Sequence, residues 1–346
     1  MDRFELRRQD FSLDGDQLAV RDAFAEFFTK QCPSSIVREA EPLGFDPALW
    51  ERLVQMGIAA MSLPAAAGGD DATLVDLVLV AEEHGRAAAP VPLVSHVVAT
   101  RLLARAGAPA DVVAAAAAGE RLVTLAHAPA RDGARQLVPD AAVAADVLAL
   151  TGGDLVLHTA GRPAPHVPNE GSSPLAWWEP RADQQRTVLA SGDEAVALHR
   201  GAVIEWRLLT AAALVGLTES ALQLGVEFAK TRTTLGVPIG TLQGVAFPLA
   251  DVAIDVAGTR QLVWKAAWFA EHEPAERPEL PLMAFDAAVR TATNGTTVAA
   301  HVQGGLGFTV EADASLYFLR AKGWGLLGGG TAANLREIGA LVTGTA

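Results

Sequence analysis

Cysteine occurs once in 346 residues, at Cys32, and tyrosine also once. A single cysteine excludes an intrachain disulfide and any metal site built on several thiolates. The histidines, among them His84, His96, His127 and His158, show no H-x-x-x-H spacing, so core or surface roles are expected of them. Basic residues are outnumbered, 27 Lys and Arg against 40 Asp and Glu, for a net charge of -13. No basic face is available to neutralise a phosphate backbone, which excludes a nucleic-acid partner. One or two local arginines would still suffice for a phosphate-bearing cofactor. No apolar run reaches the ~18 residues of a membrane span. Residues 1–8 have no apolar stretch of the secretory kind. A cytoplasmic protein of a reducing compartment, without a membrane span, is expected.

What the chain does have is alanine, and half its residues are hydrophobic, enough for a sizeable core. At about 150 residues per domain its length suggests two or three units. Residues 14–118 read as helices. Asp14 is placed to cap the first, and Asp46-Pro47 combines a cap with proline at the first helical position. A helix is expected from about Thr73 to Arg86, another to about Leu103, and a short one over 114–118. From Arg121 the texture changes to short β-like runs at 122–125, 142–150, 154–158 and 185–190, with a Pro-, Gly- and Ser-rich loop over 163–174. Helices return near Glu194, with long stretches over 204–231, 247–268, 285–302 and 314–325. The expected domains are 1–118 helical, 119–195 β and 196–346 helical.

Residues 232–243 read Arg-Thr-Thr-Leu-Gly-Val-Pro-Ile-Gly-Thr-Leu-Gln. Arg232 offers a fixed fork of donors suited to phosphate oxygens. Gly236 and Pro238 set a turn, and Gln243 carries the donor and acceptor that an adenine edge requires. Each has a plainer reading. Arg232 can close a helix C-terminus, and Gln243 can cap the next helix. Gly304-Gly305, inside Gln-Gly-Gly-Leu-Gly-Phe-Thr at 303–309, can simply end a helix.

Taken in order and spacing, these runs resemble the acyl-CoA dehydrogenase family. Residues 232–243 are similar to its R-x-x-F-G-x-P-I-x-x-F-Q motif and residues 303–309 to its GG-x-GF turn. Residues 56–69 resemble its LG-(x)n-PE-x-x-GG segment, with Ala65 in place of the glutamate. Gly330-Thr331 with Arg336 resembles the terminal E-G-T-S-x-x-x-R motif. The resemblance spans nearly the whole chain. It implies a mainly α fold in three parts: an N-terminal helical domain, a shortened β-barrel-like middle domain and a C-terminal four-helix bundle. It also implies FAD as cofactor and α,β-desaturation of an acyl-CoA thioester. That reaction needs a carboxylate to remove the α-proton, a flavin to accept the β-hydride, and donors for the carbonyl oxygen.

On this resemblance Arg232, Thr234, Leu235, Gln243, His301, Gly304, Gly305 and Thr331 would hold the nucleotide end of FAD, reaching a neighbouring subunit's cofactor. Leu235 stands where phenylalanine is usual, and His301 where glutamine is common. The base position falls on Gly329, which has no proton acceptor. Some members mount the base on the preceding helix, at a slot that falls on Trp206. Glu205 is one residue from it, about 100° around a helix, and is the one candidate base. Its plainer reading is a solvated first-turn glutamate favoured by the helix dipole. The T-E-P-x-x-G-S-D stretch, whose backbone and hydroxyl groups touch the flavin ring, corresponds to residues 124–133, which lack its glutamate and Gly-Ser pair. The expected tryptophan-bearing strand is not evident after it, and Trp177-Trp178 falls late.

These features resemble the short, glutamate-lacking subunits of actinobacterial acyl-CoA dehydrogenases that pair with a complete, homologous subunit as α2β2 tetramers. Two alternatives are a self-sufficient homo-oligomer using Glu205, and a non-redox interaction subunit that has discarded FAD.

Overall fold

The computed structural model describes residues 11–131, 133–181 and 184–344. The octet 1–8 and Asp132 therefore lie outside the described residues. Among the described residues six helices come first: α1 (Gly15–Gln31), α2 (Ser34–Glu39), α3 (Pro47–Gln55), α4 (Leu74–Arg86), α5 (Leu93–Arg105) and α6 (Ala110–Ala117). Six strands follow: β1 (Val123–Leu125), β2 (Gln136–Val138), β3 (Asp146–Thr151), β4 (Asp154–Thr159), β5 (Ala176–Trp178) and β6 (Gln185–Ser191). Then come α7 (Gly192–Thr231), a small hairpin of β7 (Thr233–Thr234) and β8 (Val237–Pro238), α8 (Gln243–His272), α9 (Leu280–Val302), α10 (Asp313–Leu327) and α11 (Thr331–Thr343). Helix, then strand, then helix is the order expected from the sequence.

The caps form as read. Asp14 accepts from the backbone of Gln17 in a reciprocal capping box, and Asp46 accepts from Leu49 N with Pro47 opening α3. Each satisfies a backbone donor that the first helical turn would leave unpaired.

Backbone contacts divide the chain into two units. The first takes the described residues up to Ser34, residues 74–89 and everything from Arg207 onward; the second takes 35–73 and 90–206. In the first unit α8 packs on α9, which is also covered by α10 and α11, while α4 lies against α1 and α8. Helix α7 meets α4 with almost no spacer: a Cβ on Gly216 would overlap the Glu82 carbonyl, and one on Gly85 the Ala213 carbonyl. The sequence reading takes Gly216 and Gly225 as interruptions of an amphipathic stretch from Ile204. The helix instead begins at Gly192 and passes through both. It is also long and apolar enough to cross a bilayer, contrary to the reading that no run is, but 67% of its most apolar 18 residues are buried within the protein.

In the second unit a four-stranded sheet runs β1-β3-β4-β6 and a two-stranded one pairs β2 with β5. The β1–β3 pair is parallel and the others are antiparallel. Ala126, Val138, Val147, Ala149, Ala176 and Trp178 pack as one cluster. Two strands were not legible in sequence. β2 and β5 have three residues each, too short to show alternation, and β5 carries Trp177-Trp178, so a tryptophan-bearing strand does exist here. Helix α11 is likewise additional to the four C-terminal helices read from sequence, because the glycine run at 328–330 masks its start.

Candidate functional site

Arg232 follows the last residue of α7, and its amide donates to Phe228 O, ending the helix. Ile239 N donates back to Arg232 O, closing the hairpin. Leu235 and Gly236 form its tip, both left-handed, at φ 51° and 84°. Two consecutive positive φ values are what a tight two-residue hairpin demands. For leucine this backbone is strained, and such strain concentrates where a side chain must be aimed at a particular place. Leu235 is 92% exposed. Arg232, Thr234 and Gln243 are exposed as well, Gln243 as the first residue of α8, whose N-cap is Leu242.

His301 lies in the last turn of α9, and Gly304 and Gly305 open the short 3-10 turn Gly304–Phe308. All three are exposed. A Cβ on Gly305 would meet nothing within 4 Å, so packing inside this chain does not require glycine there. Leu306, Phe308 and Val310 beside it are half or more exposed. Thr331, also exposed, begins α11. The eight residues expected at the nucleotide thus occupy three separate surface segments of one unit. Their donors and open glycine backbone suit the phosphates and adenine of a dinucleotide, so this end fits FAD.

Gly329, the residue expected at the base position, does not fit that role. Gly329 has φ 96°, a backbone that a glutamate would adopt only with strain. Arg207 fills the space beside it. Its Nε donates to Gly328 O at 3.1 Å, its Nη1 to Glu337 at 3.0 Å, and its Nη2 lies 3.5 Å from where a Gly329 Cβ would stand. A guanidinium cannot accept a proton at any ordinary pH. The Arg207–Glu337 pairing joins residues 130 apart, so no local pattern could have announced it.

Glu205, in the second unit, is neither solvated nor in a first turn. It sits thirteen residues into α7 and is buried, and its two oxygens accept from Arg101 Nε at 2.7 Å and Arg105 Nη1 at 2.9 Å. Arg101 also donates to Ser62 O. Arg101 and Arg105 stand at i, i+4 on one face of α5, but Glu205 is 104 residues from Arg101 and no local pattern marks it as their partner.

Trp206 is 3% exposed, and its indole N–H donates to Ser95 Oγ at 3.1 Å. The ring of His127, from the 124–133 segment, lies against it with centroids 4.2 Å apart. The same segment bonds heavily to its own unit. Thr124 Oγ1 donates to Pro139 O, Ala126 N to Leu148 O and Ala130 N to Leu150 O, while the Ala126 carbonyl accepts from His199 Nε2. The Gln136 side chain takes both the amide and the carbonyl of Ala128.

Two family models match the chain: the acyl-CoA dehydrogenase N-terminal domain over residues 14–112 and the C-terminal domain over residues 199–342. The acyl-CoA dehydrogenase IpdE2 of Mycobacterium tuberculosis is 31% identical over 88% of this chain and 90% of its own length. The chain belongs to the acyl-CoA dehydrogenase family. That family consists of FAD-dependent oxidoreductases acting on acyl-CoA. A second relative, the acyl-CoA dehydrogenase FadE27 of the same organism, is 31% identical over 89% of this chain and 92% of its own length. Among solved structures, the ChsE4-ChsE5 complex from Mycobacterium tuberculosis matches with a TM-score of 0.85 at 27% identity, covering 96% of this chain and 99% of that one. The Tcur3481-Tcur3483 steroid ACAD G363A variant matches at 0.84 and 26%, covering 95% and 98%.

Proposed function

We propose that this acyl-CoA dehydrogenase chain is the subunit of a hetero-oligomer that carries no base of its own and completes the FAD site of a homologous, full-length partner. On this reading Arg232, Thr234, Leu235, Gln243, His301, Gly304, Gly305 and Thr331 grip the nucleotide end across the interface. The partner supplies the carboxylate and the ring pocket. The substrate is an acyl-CoA thioester, and a bulky acyl group such as a steroid side chain is the first to try, given the steroid enzyme among the similar structures. A cytoplasmic α2β2 tetramer is the assembly proposed.

The observation that carries this reading is position 329, where a left-handed glycine beside Arg207 stands in place of the base. The outward presentation of a strained, apolar hairpin tip supports it, because Leu235 has no use in bulk water. Two of the similar solved structures are named for protein pairs, ChsE4-ChsE5 and Tcur3481-Tcur3483. The alternative of a self-sufficient enzyme based on Glu205 would need that carboxylate to take up a proton while two guanidiniums hold it.

The test is purification of the chain alone and together with a co-expressed full-length homologue, reading flavin absorbance, mass and acyl-CoA oxidation. The chain alone is expected to be colourless and inactive, and the pair yellow and active. An isolated chain that binds FAD stoichiometrically and oxidises acyl-CoA unaided would end the proposal.

A further inference from the structure

Desaturation places a base on one face of the substrate and the flavin on the other. The element that mounts the base and the segment that holds the ring must therefore stand apart by two stacked layers. With reacting atoms about 3–3.5 Å apart across each gap, that is roughly 7 Å of free space. In this chain Trp206 marks the base slot of α7 and residues 124–133 correspond to the ring-holding segment. Their side chains are in contact, with the Trp206 and His127 centroids 4.2 Å apart, which leaves no layer between them.

The contact is anchored on both sides. Trp206 is buried and hydrogen-bonded to Ser95, and Ser95 in turn bonds the Asp140 carboxyl. Across from it, backbone groups of Ala126, Ala128 and Ala130 are already committed to His199, Gln136 and the neighbouring strand. A flavin held there through Ala126 or Ala130 would have to break bonds that are buried in this unit. The nucleotide-gripping residues, by contrast, are exposed.

We infer that this chain carries a filled ring site: Trp206 on His127 occupies the space of the isoalloxazine and the thioester, so the chain contributes to a flavin site only through its nucleotide-gripping surface. This rests on the subunit reading above and adds the reason why the chain cannot serve as its own flavin domain.

The test uses the full chain and lumiflavin, the ring without its nucleotide, followed by quenching of flavin fluorescence. Wild type is expected to bind no lumiflavin. Trp206→Ala opens a gap beside His127 of the kind that accepts flat ligands, and is expected to quench lumiflavin fluorescence saturably where wild type does not. His127 is only partly buried, so His127→Ala keeps the fold, opens the same gap, and decides the question where Trp206→Ala does not fold. Trp50→Ala removes a buried tryptophan elsewhere in the same unit and is expected to give no gain. Folded Trp206→Ala and His127→Ala proteins that gain nothing, a wild type that already binds lumiflavin, or a Trp50→Ala gain as large as that of Trp206→Ala would each overturn the inference. The first and third of these leave the subunit reading intact. Unaided acyl-CoA oxidation by the wild-type chain would instead remove that reading itself.

Discussion

Consecutive residues of α7 have opposite fates here. Glu205 is held between Arg101 and Arg105, Trp206 is packed on His127, and Arg207 reaches the Gly328 carbonyl and Glu337. If Glu205 is a structural anchor, Glu205→Ala strands Arg101, which is 13% exposed, without its counter-charge. Breaking a buried pair from one side costs about 3 kcal/mol or more, so the urea midpoint of the variant should fall sharply. A base would show itself differently, through lost turnover at unchanged stability. Arg232 offers the complementary case. It is exposed, so Arg232→Ala should leave the chain's own melting temperature unchanged. In the co-purified assembly it should weaken FAD binding about tenfold or more, since a hydrogen bond to a charged group is worth roughly 1.5–3 kcal/mol. Flavin retention through gel filtration measures it, and unaltered retention would favour a subunit that has discarded FAD.

At the scale of elements, the first unit depends on how closely α4 and α7 approach. Gly85 and Gly216 let backbone lie on backbone at the crossing. That approach supports a network of charges from three helices: Arg86 pairs with Glu82, Glu83 and Glu219, and Arg260 of α8 with Glu82 and Glu219. Burial raises the Glu82 carboxyl despite its two arginines. Burial also pushes Glu219 up, but the charges and hydrogen bonds of Arg86 and Arg260 outweigh it and hold that carboxyl below its ordinary value. A methyl at position 216 must force the helices apart and loosen this network, so Gly216→Ala should cost at least the ~1–3 kcal/mol of overpacking. Calorimetry would show it as a lowered Tm, and an unchanged Tm would contradict the crossing. The α7 glycines were visible in sequence as departures from helix propensity. What they approach was not, because Gly85 and Gly216 are 131 residues apart and periodicity reports only which faces are apolar.

At the scale of the whole molecule, the response to acid includes two groups of the second unit that oppose each other, the buried His96 and the half-buried Asp140. His96 is wholly buried, donating from Nε2 to Ala116 O and accepting from Val123 N at Nδ1, and burial lowers it from 6.5 to about 4. The unfolded chain then binds the extra proton, so stability falls as pH drops from 6.5 to 4. Burial raises Asp140 from 3.8 to about 6, with its bond to Ser95 opposing. There the folded chain binds the extra proton, so stability rises as pH drops from 6 to 4. Each is worth about 3 kcal/mol, and over that window they largely offset. Asp140 has φ 60°, which asparagine tolerates. Asp140→Asn should therefore fold at neutral pH but lose about 3 kcal/mol more than wild type between pH 6.5 and 4. Urea titrations at a series of pH values check this; parallel curves for the two proteins would refute it.

Helix–strand–helix order, the caps at Asp14 and Asp46, the turn after Arg232 and the glycine at the base position were all determined by the sequence. Each is a local matter of propensity, backbone freedom or the presence of a functional group. The short strands β2 and β5, the continuity of α7 through its glycines and the pairings of Glu205 and Arg207 were decided only in three dimensions. They depend on which distant side chain or backbone arrives opposite, and a linear pattern carries no record of that. The same holds for the contact of Trp206 with His127. Sequence assigned each to its segment, but only the packing of α7 on the 124–133 segment put two rings where a third would have to lie.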